Sequence, residues 1–341
     1  MRLGSTFGRA AVTIGVVVLA AFAAYGVYWH VMAGRLRDGL APWAAARQAE
    51  GYTLHWDRVK VGGFPTRFRF RFAGAHFTAQ RPVPIAFTVS SLDVWAEPWN
   101  LHHWRFSTGD VAQVADPFGA AGFSLDHVEG SAQFDAGEPL ALDVAISGAA
   151  GSGFAQGFAI GTASAHIEVP PNPPRNHRDT ALDAVLELGA VRLPESVPGF
   201  GDTVTNLAFS TDLKGGLPPG PLAPALAAWR DAGGTVELRY FRLRWGGLLI
   251  DANGTLALDN ALQPEGALSA EITGQDAAVD LAVTSGALQP ADAALAKAVL
   301  GLLAKPGPSG EKAITVPLTL QQDHIFLGSA AIASLPHISW E

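Results

Sequence analysis

The chain has 341 residues, of which 48% are hydrophobic and only 16% are charged, so it carries enough apolar side chains for a large core. Its formal net charge is -8 and it has no evident basic face, which argues against nucleic acid as a partner. It has no cysteine, which excludes disulfides, thiolate metal ligands and thiol nucleophiles.

The N-terminal segment predicts a transmembrane helix. Residues 10–32 contain no Asp, Glu, Lys or Arg. At about 1.5 Å per residue, a helix of about 23 residues is about 34 Å long, which is enough to cross a bilayer. Aromatic residues typical of a membrane–water interface lie near its far end: Tyr25, Tyr28 and Trp29.

The charges that flank this helix predict its orientation. Arg2 and Arg9 place residues 1–9 in the cytoplasm, although Arg35 and Arg37 weaken the asymmetry. We therefore expect a single-pass protein of the inner membrane with most of its chain in the periplasm. The alternative is a signal peptide cleaved after the small-x-small triplet Ala21-Phe22-Ala23, but the apolar run continues well past that triplet.

A helical linker is predicted for residues 33–50, which are rich in alanine and arginine. Pro42 permits a kink in this helix. Gly51 stands where a glycine commonly ends a helix, because the left-handed conformation required there costs glycine little.

The first β region is predicted over residues 51–169. A tight turn is predicted at Gly62-Gly63-Phe64-Pro65. The run that follows it alternates arginine with phenylalanine, which is the pattern of a strand with one solvent-exposed face and one apolar face. In the next predicted strand, Ile85 to Trp95, the alternation changes phase at Ser90-Ser91 and indicates a β-bulge.

The second β region is predicted over residues 170–341, beginning at the Pro-rich breaker 170–178. Asp251 to Gly254 predicts a hairpin turn through its Asn-Gly pair, and a helical pair is predicted at 277–284 and 291–305. The expected fold is thus mainly β: a transmembrane helix, then an extended, strongly bent antiparallel sheet with a few short helices near the C-terminus.

No catalytic, cofactor-binding or metal-binding residues are predicted. His102 and His103 are adjacent, so on a strand their rings face opposite sides and cannot chelate one ion. Ser309 and Lys312 match Ser-x-x-Lys, but in a Pro/Gly loop instead of at a helix start. We therefore expect a protein that is not an enzyme.

The amphipathic strands provide the only candidate site. One apolar face is either a packed core or the lining of a groove for an acyl chain, and its residues are Phe68, Phe70, Phe72, Phe87 and Val89. The arginines of these strands are either a solvated face or a site for anionic headgroups: Arg67, Arg69, Arg71, Arg242 and Arg244.

Several motifs resemble the alphaproteobacterial family called domain of unknown function 2125. They are the N-terminal anchor, Gly63-Phe64-Pro65 followed by Arg67-Phe68, the Trp95 to Leu101 corner, the Trp245 to Gly274 meander, and the closing segment with Val316-Pro317-Leu318 and Leu327-Gly328. The resemblance covers nearly the whole chain after the anchor, and it implies no catalytic residues.

The Asp251 to Gly274 segment is more distantly similar to the strand repeats of AsmA-like envelope proteins. That resemblance implies an anchored β protein with a hydrophobic groove, involved in phospholipid transport and envelope homeostasis. We therefore expect the protein to bind lipid or another hydrophobic ligand. The alternative is a structural or assembly factor that binds envelope proteins through its sheet edges and aromatic patches.

Overall fold

A computed structural model describes residues 4–49, 51–79, 85–109, 112–115, 121–135, 138–284, 288–306, 312–328 and 330–340. Within these ranges the chain is mainly β, as predicted. Four helices are present: α1 (Gly4–Ala49), α2 (Leu222–Asp231), α3 (Gln275–Thr284) and α4 (Pro290–Leu303).

The described residues form eighteen strands, which all belong to one sheet. Their bounds are β1 (Tyr52–His55), β2 (Arg58–Gly62), β3 (Phe68–Ala79), β4 (Ile85–Glu97), β5 (Asn100–Thr108), β6 (Ala112–Ala115), β7 (Ala121–Asp135), β8 (Glu138–Gly153), β9 (Ala159–Glu168), β10 (Thr180–Val197), β11 (Gly201–Lys214), β12 (Thr235–Trp245), β13 (Leu248–Leu258), β14 (Pro264–Thr273), β15 (Lys305–Pro306), β16 (Lys312–Gln321), β17 (His324–Leu327) and β18 (Ala330–Ser334).

The predicted membrane segment and the predicted linker form a single helix, α1, of 46 residues. At about 1.5 Å per residue it is about 69 Å long, far longer than a bilayer is thick. It is long and apolar enough to span a membrane, and almost none of its apolar window is buried by the rest of the chain. Gly51 follows its end with φ of +92°, which confirms the predicted glycine stop.

The sheet is an antiparallel meander. From β7 to β14 each strand pairs with the next one along the chain. Near the ends, pairs of short strands share a long neighbour: β1 and β2 both pair with β3, and β15 and β17 both pair with β16. Strands β9 and β10 pair across the 170–178 breaker, so both predicted β regions lie in one sheet.

A line of irregular residues, which we call the crease, crosses the sheet. Strand pairing skips one residue at the same level in β3, β8 and β10: Gly74, Gly148 and Ala190. Their φ angles are +60°, +76° and +51°, in the left-handed region. A residue in this conformation interrupts the alternation of side chains along its strand.

One hydrophobic cluster shows what the crease does. In three strands, residues three positions apart enter the same cluster: Val89 and Leu92 in β4, Leu125 and Val128 in β7, Ile146 and Ala149 in β8. The phase change predicted at Ser90-Ser91 is therefore confirmed. Every residue of the cluster belongs to this one sheet, so the two sides of the crease bury each other only if the sheet bends toward its apolar face there.

The prediction of a hairpin turn at Asp251 to Gly254 is wrong, because β13 continues through these residues to Leu258. A Cβ on Gly254 would lie 2.2 Å from the Ala267 carbonyl oxygen, so this glycine permits close approach to β14 instead of a turn. The actual turn follows β13, where Asp259 Oδ1 accepts hydrogen bonds of 2.8 Å from the backbone N–H groups of Ala261 and Gln263.

Candidate functional site

Cross-strand pairing aligns apolar side chains into a row that crosses the sheet. The row passes through β3, β4, β5, β7 to β14 and β16, and only a glycine interrupts its apolar character: Phe70, Val94, Phe106, Gly130, Val144, Ala165, Leu186, Phe209, Phe241, Ala252, Ala270 and Val316. Neighbouring strands lie about 4.8 Å apart, so a row across about twelve strands is about 53 Å long.

A second apolar row runs beside the first. From β7 to β16 it consists of Val128, Ile146, Ala163, Leu188, Leu207, Leu243, Ile250, Ile272 and Ile314. We call the side of the sheet that carries both rows the apolar face. From β7 to β16, neither row contains a polar side chain.

Helix α1 covers the first end of the apolar face. The Trp29 ring stacks on Phe68 with 5.4 Å between centroids, and Leu36 and Leu40 pack on the same cluster. Phe68 and Phe70 are 0% and 2% exposed. This end is therefore a closed core between helix and sheet.

Helix α4 covers the other end. Its Leu300, together with Ala304 just after it, packs against a cluster formed by residues of β13, β14 and β16. The central members of that cluster are Ala252, Ala270, Ile314 and Val316. The last strands of the apolar face are thus also protected from solvent.

Between these ends lies what we call the middle section, the apolar face of β8 to β11. Most of its residues are half-buried, whereas Ala149 and Val204 near the crease are buried and Leu142 is 36% exposed. Within the described part of the chain, no helix residue joins the cluster that contains its residues Val144, Ile146 and Ala149. The described clusters that include helix residues contain no residue of β8 to β11, so the middle section is an apolar surface that these helices leave uncovered.

The predicted groove residues do not lie in the middle section. Phe68, Phe70 and Phe72 belong to the cluster beneath α1. Phe87 and Val89 lie at the crease, where Val89 is 1% exposed. The structure places all five in packed clusters and leaves the open apolar surface farther along the sheet.

The predicted arginines lie mainly on the opposite, polar face. Arg69 Nη2 and Arg71 Nε contact the two carboxylate oxygens of Asp93 at 2.6 and 2.9 Å. Burial acts to raise the pKa of Asp93, but the hydrogen bonds and charges of both arginines outweigh it and hold that pKa below its ordinary value. This arrangement neutralises Asp93 and leaves less charge free for an anionic ligand.

The remaining arginines differ in their surroundings. Arg242 contacts Asp251 at 3.0 Å and lies 4.4 Å over the Tyr240 ring, and cross-strand pairing puts it on the polar face. Arg244 lies on the same face. Within the described residues, no carboxylate oxygen comes within 4.0 Å of the side-chain nitrogens of Arg67 or Arg244. The apolar and arginine sets therefore do not form one site.

A depression of about 470 Å³ lies on the polar face, behind the middle section. Within it, Ser131 Oγ donates to Asp143 at 3.2 Å, and His166 Nδ1 lies 2.7 Å from the other Asp143 oxygen. The hydrogen bond that His166 donates to Asp143 raises the pKa of His166; burial partly opposes this effect and Glu168 adds to it.

This constellation is not a catalytic triad. In a triad the imidazole lies between the nucleophile and the carboxylate, whereas here the Asp143 carboxylate separates Ser131 from His166. Among the residues that the structure describes, no group of three or more His, Asp or Glu side chains is arranged to hold a metal ion.

Ionic residues on β10, β11 and β12 form a further cluster on the polar face. Arg239 pairs with Asp183 and Asp212, and Lys214 Nζ lies 3.3 Å from Asp212 Oδ2. Burial raises the pKa of Asp183, and its hydrogen bond with Asp212 adds to the effect. Opposite charges are paired within this cluster, so it does not present one sign of charge.

A family model described as "Uncharacterized protein conserved in bacteria (DUF2125)" matches residues 29–336. The chain belongs to this family. The DUF2125 match begins within α1 and extends through the closing strands, so it includes the whole apolar face. No curated protein and no solved structure matches the chain.

Sequence reasoning missed the residues of the middle section, notably Leu186, Leu188, Leu207 and Phe209. The alternation Leu186-Glu187-Leu188 shows that β10 has one apolar face. It does not show which apolar faces a helix covers, because that depends on contacts between segments far apart in the chain.

Proposed function

We propose that this DUF2125 protein is anchored in the inner membrane by α1 and binds the acyl chain of a lipid, or another hydrophobic ligand, on the middle section. Its N-terminus lies in the cytoplasm and its sheet in the periplasm, where it serves cell-envelope lipid transport or homeostasis without catalysing a reaction. The observation that supports this proposal is the open apolar surface between the two helix-covered ends.

Burial of methylene groups supplies the affinity. Each buried methylene contributes about 0.8 kcal/mol, so about ten of them contribute about 8 kcal/mol before the cost of ordering the chain. An apolar surface this long, open in water, would favour aggregation unless it were covered, and a lipid chain is a suitable cover.

The test is lipid extraction and mass spectrometry of the full-length protein purified in detergent, compared with α1 alone as the control for lipid bound to the anchor. We expect wild type to retain lipid beyond that control. The double variant Leu186→Asp/Phe209→Asp should lose the excess, because these two residues are cross-strand partners at the centre of the middle section.

A matched control places the same charge on the other face. Val185→Asp changes the neighbouring residue, whose cross-strand partners His166 and Ser210 are polar. We expect this variant to retain the lipid. A wild type with no excess lipid, or equal loss in both variants, would contradict binding on the middle section.

A second candidate is a structural or assembly factor that binds envelope proteins. Two aromatic residues at turns favour it, since Trp99 is 71% and Phe154 is 87% exposed. Chemical crosslinking in cells distinguishes the candidates. A protein partner that is lost in Trp99→Ser/Phe154→Ser, together with the absence of excess lipid in wild type, would favour the assembly function.

A further inference from the structure

The turn between β2 and β3 packs against the apolar part of α1. The Phe64 ring contacts Phe22, Tyr25 and Trp29 with centroid distances of 5.8, 6.2 and 5.6 Å. A Cβ placed on Gly26 would lie 4.0 Å from this ring. Phe64 therefore sits at the level of Gly26 along the helix axis.

That level lies within the segment of α1 that crosses the membrane. The uncharged run continues to Met32, six residues beyond Gly26, and the next charge is Arg35. Six residues of helix correspond to about 9 Å. When α1 spans the bilayer, Phe64 lies about 9 Å inside the end of the uncharged run, at or below its aromatic belt.

The backbone of the turn has hydrogen-bond partners suited to such a position. Tyr25 Oη donates to the Pro65 carbonyl, and Trp29 Nε1 donates to the Arg67 carbonyl at 3.0 Å. The Arg67 N–H donates to the Gly63 carbonyl at 2.9 Å. Non-helical backbone is tolerated in a bilayer only where its polar groups are satisfied in this way.

The outer surface of the turn suits lipid as well. Phe64 remains 39% exposed on the side away from α1, and Phe22 beside it is 56% exposed. Arg67 follows at the end of the turn, and its side chain is exposed. A long arginine side chain at this depth reaches the headgroups while its methylenes stay among the acyl chains.

We propose that the turn from Gly63 to Arg67 is embedded in the leaflet on the sheet's side of the membrane, with Phe64 among the acyl chains and Arg67 at the phosphates. The sheet then begins at the bilayer, with β3 and Phe68 at its surface. This goes beyond ligand binding on the middle section and requires only that α1 spans the membrane.

Because the chain has no native cysteine, a single introduced cysteine can be labelled specifically. Single cysteines at Phe64 and Thr66 carry a nitroxide spin label in the full-length protein, reconstituted in vesicles of phosphatidylethanolamine and phosphatidylglycerol. The Thr66→Cys variant keeps the Phe64 ring in place. Power saturation then compares collisions with oxygen, which concentrates in lipid, and with a water-soluble nickel chelate.

Two reference positions calibrate the measurement. Leu19→Cys reports on α1 itself, where the side chain is 70% exposed, and Phe154→Cys reports on a turn of the sheet. We expect oxygen collisions to dominate at positions 64 and 19, and nickel collisions to dominate at 154. Position 66 should give a shallower depth than 64.

Nickel-dominated collisions at both 64 and 66 would overturn the inference. If position 19 is lipid-exposed in that case, the turn lies outside a correctly inserted anchor. If position 19 is also aqueous, the anchor itself has failed. Neither result depends on whether the middle section holds a ligand, so this test is separate from the test of the proposed function.

Discussion

The covered and open sections of the apolar face are built from the same kind of strand but end in different surroundings. At the first end, Phe68 and Phe70 are closed off by Trp29 and its neighbours on α1. In the middle section, Leu186 and Phe209 belong to the same aligned row as Phe70 but are only half-buried, and neither lies in a described cluster that includes a helix residue. Alternation determines which face is apolar, whereas a helix distant in sequence determines where that face is core and where it is surface.

The largest expected effect is on stability at the covered end. Phe68→Ala removes a ring that is fully buried between α1 and the sheet, so we expect a loss of about 3–5 kcal/mol in the free energy of unfolding. Leu142→Ala changes a residue on the same face that is 36% exposed, and it should cost only about 1 kcal/mol. Part of the Leu142 side chain stays in contact with water in the folded protein, so its removal leaves no closed cavity.

Urea unfolding of the full-length protein in detergent micelles, followed by tryptophan fluorescence, measures both losses. Similar losses for the two variants would mean that the middle section is as closed as the first end. That result would break the distinction on which the proposed binding surface depends.

Much of this architecture could be predicted from the sequence. The charge-free run of α1, the alternation at Phe68 to Phe72 and the helical pair near the C-terminus all reflect local patterns, and the structure confirms them. The predicted hairpin turn was wrong because it depends on contacts between residues far apart in the chain. The Asn253-Gly254 pair has the composition of a hairpin turn, but packing against β14 keeps it in a strand.

The position of the open surface also depends on contacts that are distant in sequence. The phenylalanines of β3 form the most regular apolar alternation in the chain, and for that reason they suggested a groove. Their burial depends on Trp29 and Leu36, about forty residues earlier, which no periodicity within β3 reports. The open surface is composed of less regular strands that acquire a common face only through register.

A smaller effect is expected behind the covered end, at Asp93. Asp93→Asn should cost about 1–2 kcal/mol at neutral pH, because it removes a carboxylate that two arginines hold and that is 14% exposed. Asp251→Asn is the control, since the Arg242–Asp251 pair is about half exposed on both sides and should contribute well under about 1 kcal/mol.

The pH dependence at Asp93 has a definite sign. Its folded-state pKa is depressed, so its contribution is present above the unfolded pKa of about 4 and is lost as pH falls through the folded value. The stability difference between wild type and Asp93→Asn should therefore shrink below about pH 4. A difference that stays constant down to pH 2 would show that the ion pairs are not its source.

The smallest effect is expected behind the middle section, at His166, and it tests whether the two faces act separately. Its pKa is raised, so the contribution of the His166–Asp143 pair is complete below the unfolded pKa of about 6.5 and is lost as pH rises through the folded value. Because this side chain is 40% exposed, we expect the pair to contribute well under about 1 kcal/mol to the free energy of unfolding. In His166→Gln, this decrease in stability with rising pH should be absent.

Lipid retention should not follow the titration of His166. The imidazole lies on the polar face, so its charge is separated from a ligand on the apolar face by the thickness of the sheet. Wild type should therefore carry the same amount of lipid at pH 6 and pH 8. If retention changes with pH in wild type but not in His166→Gln, the polar depression takes part in binding, and the apolar face alone does not account for it.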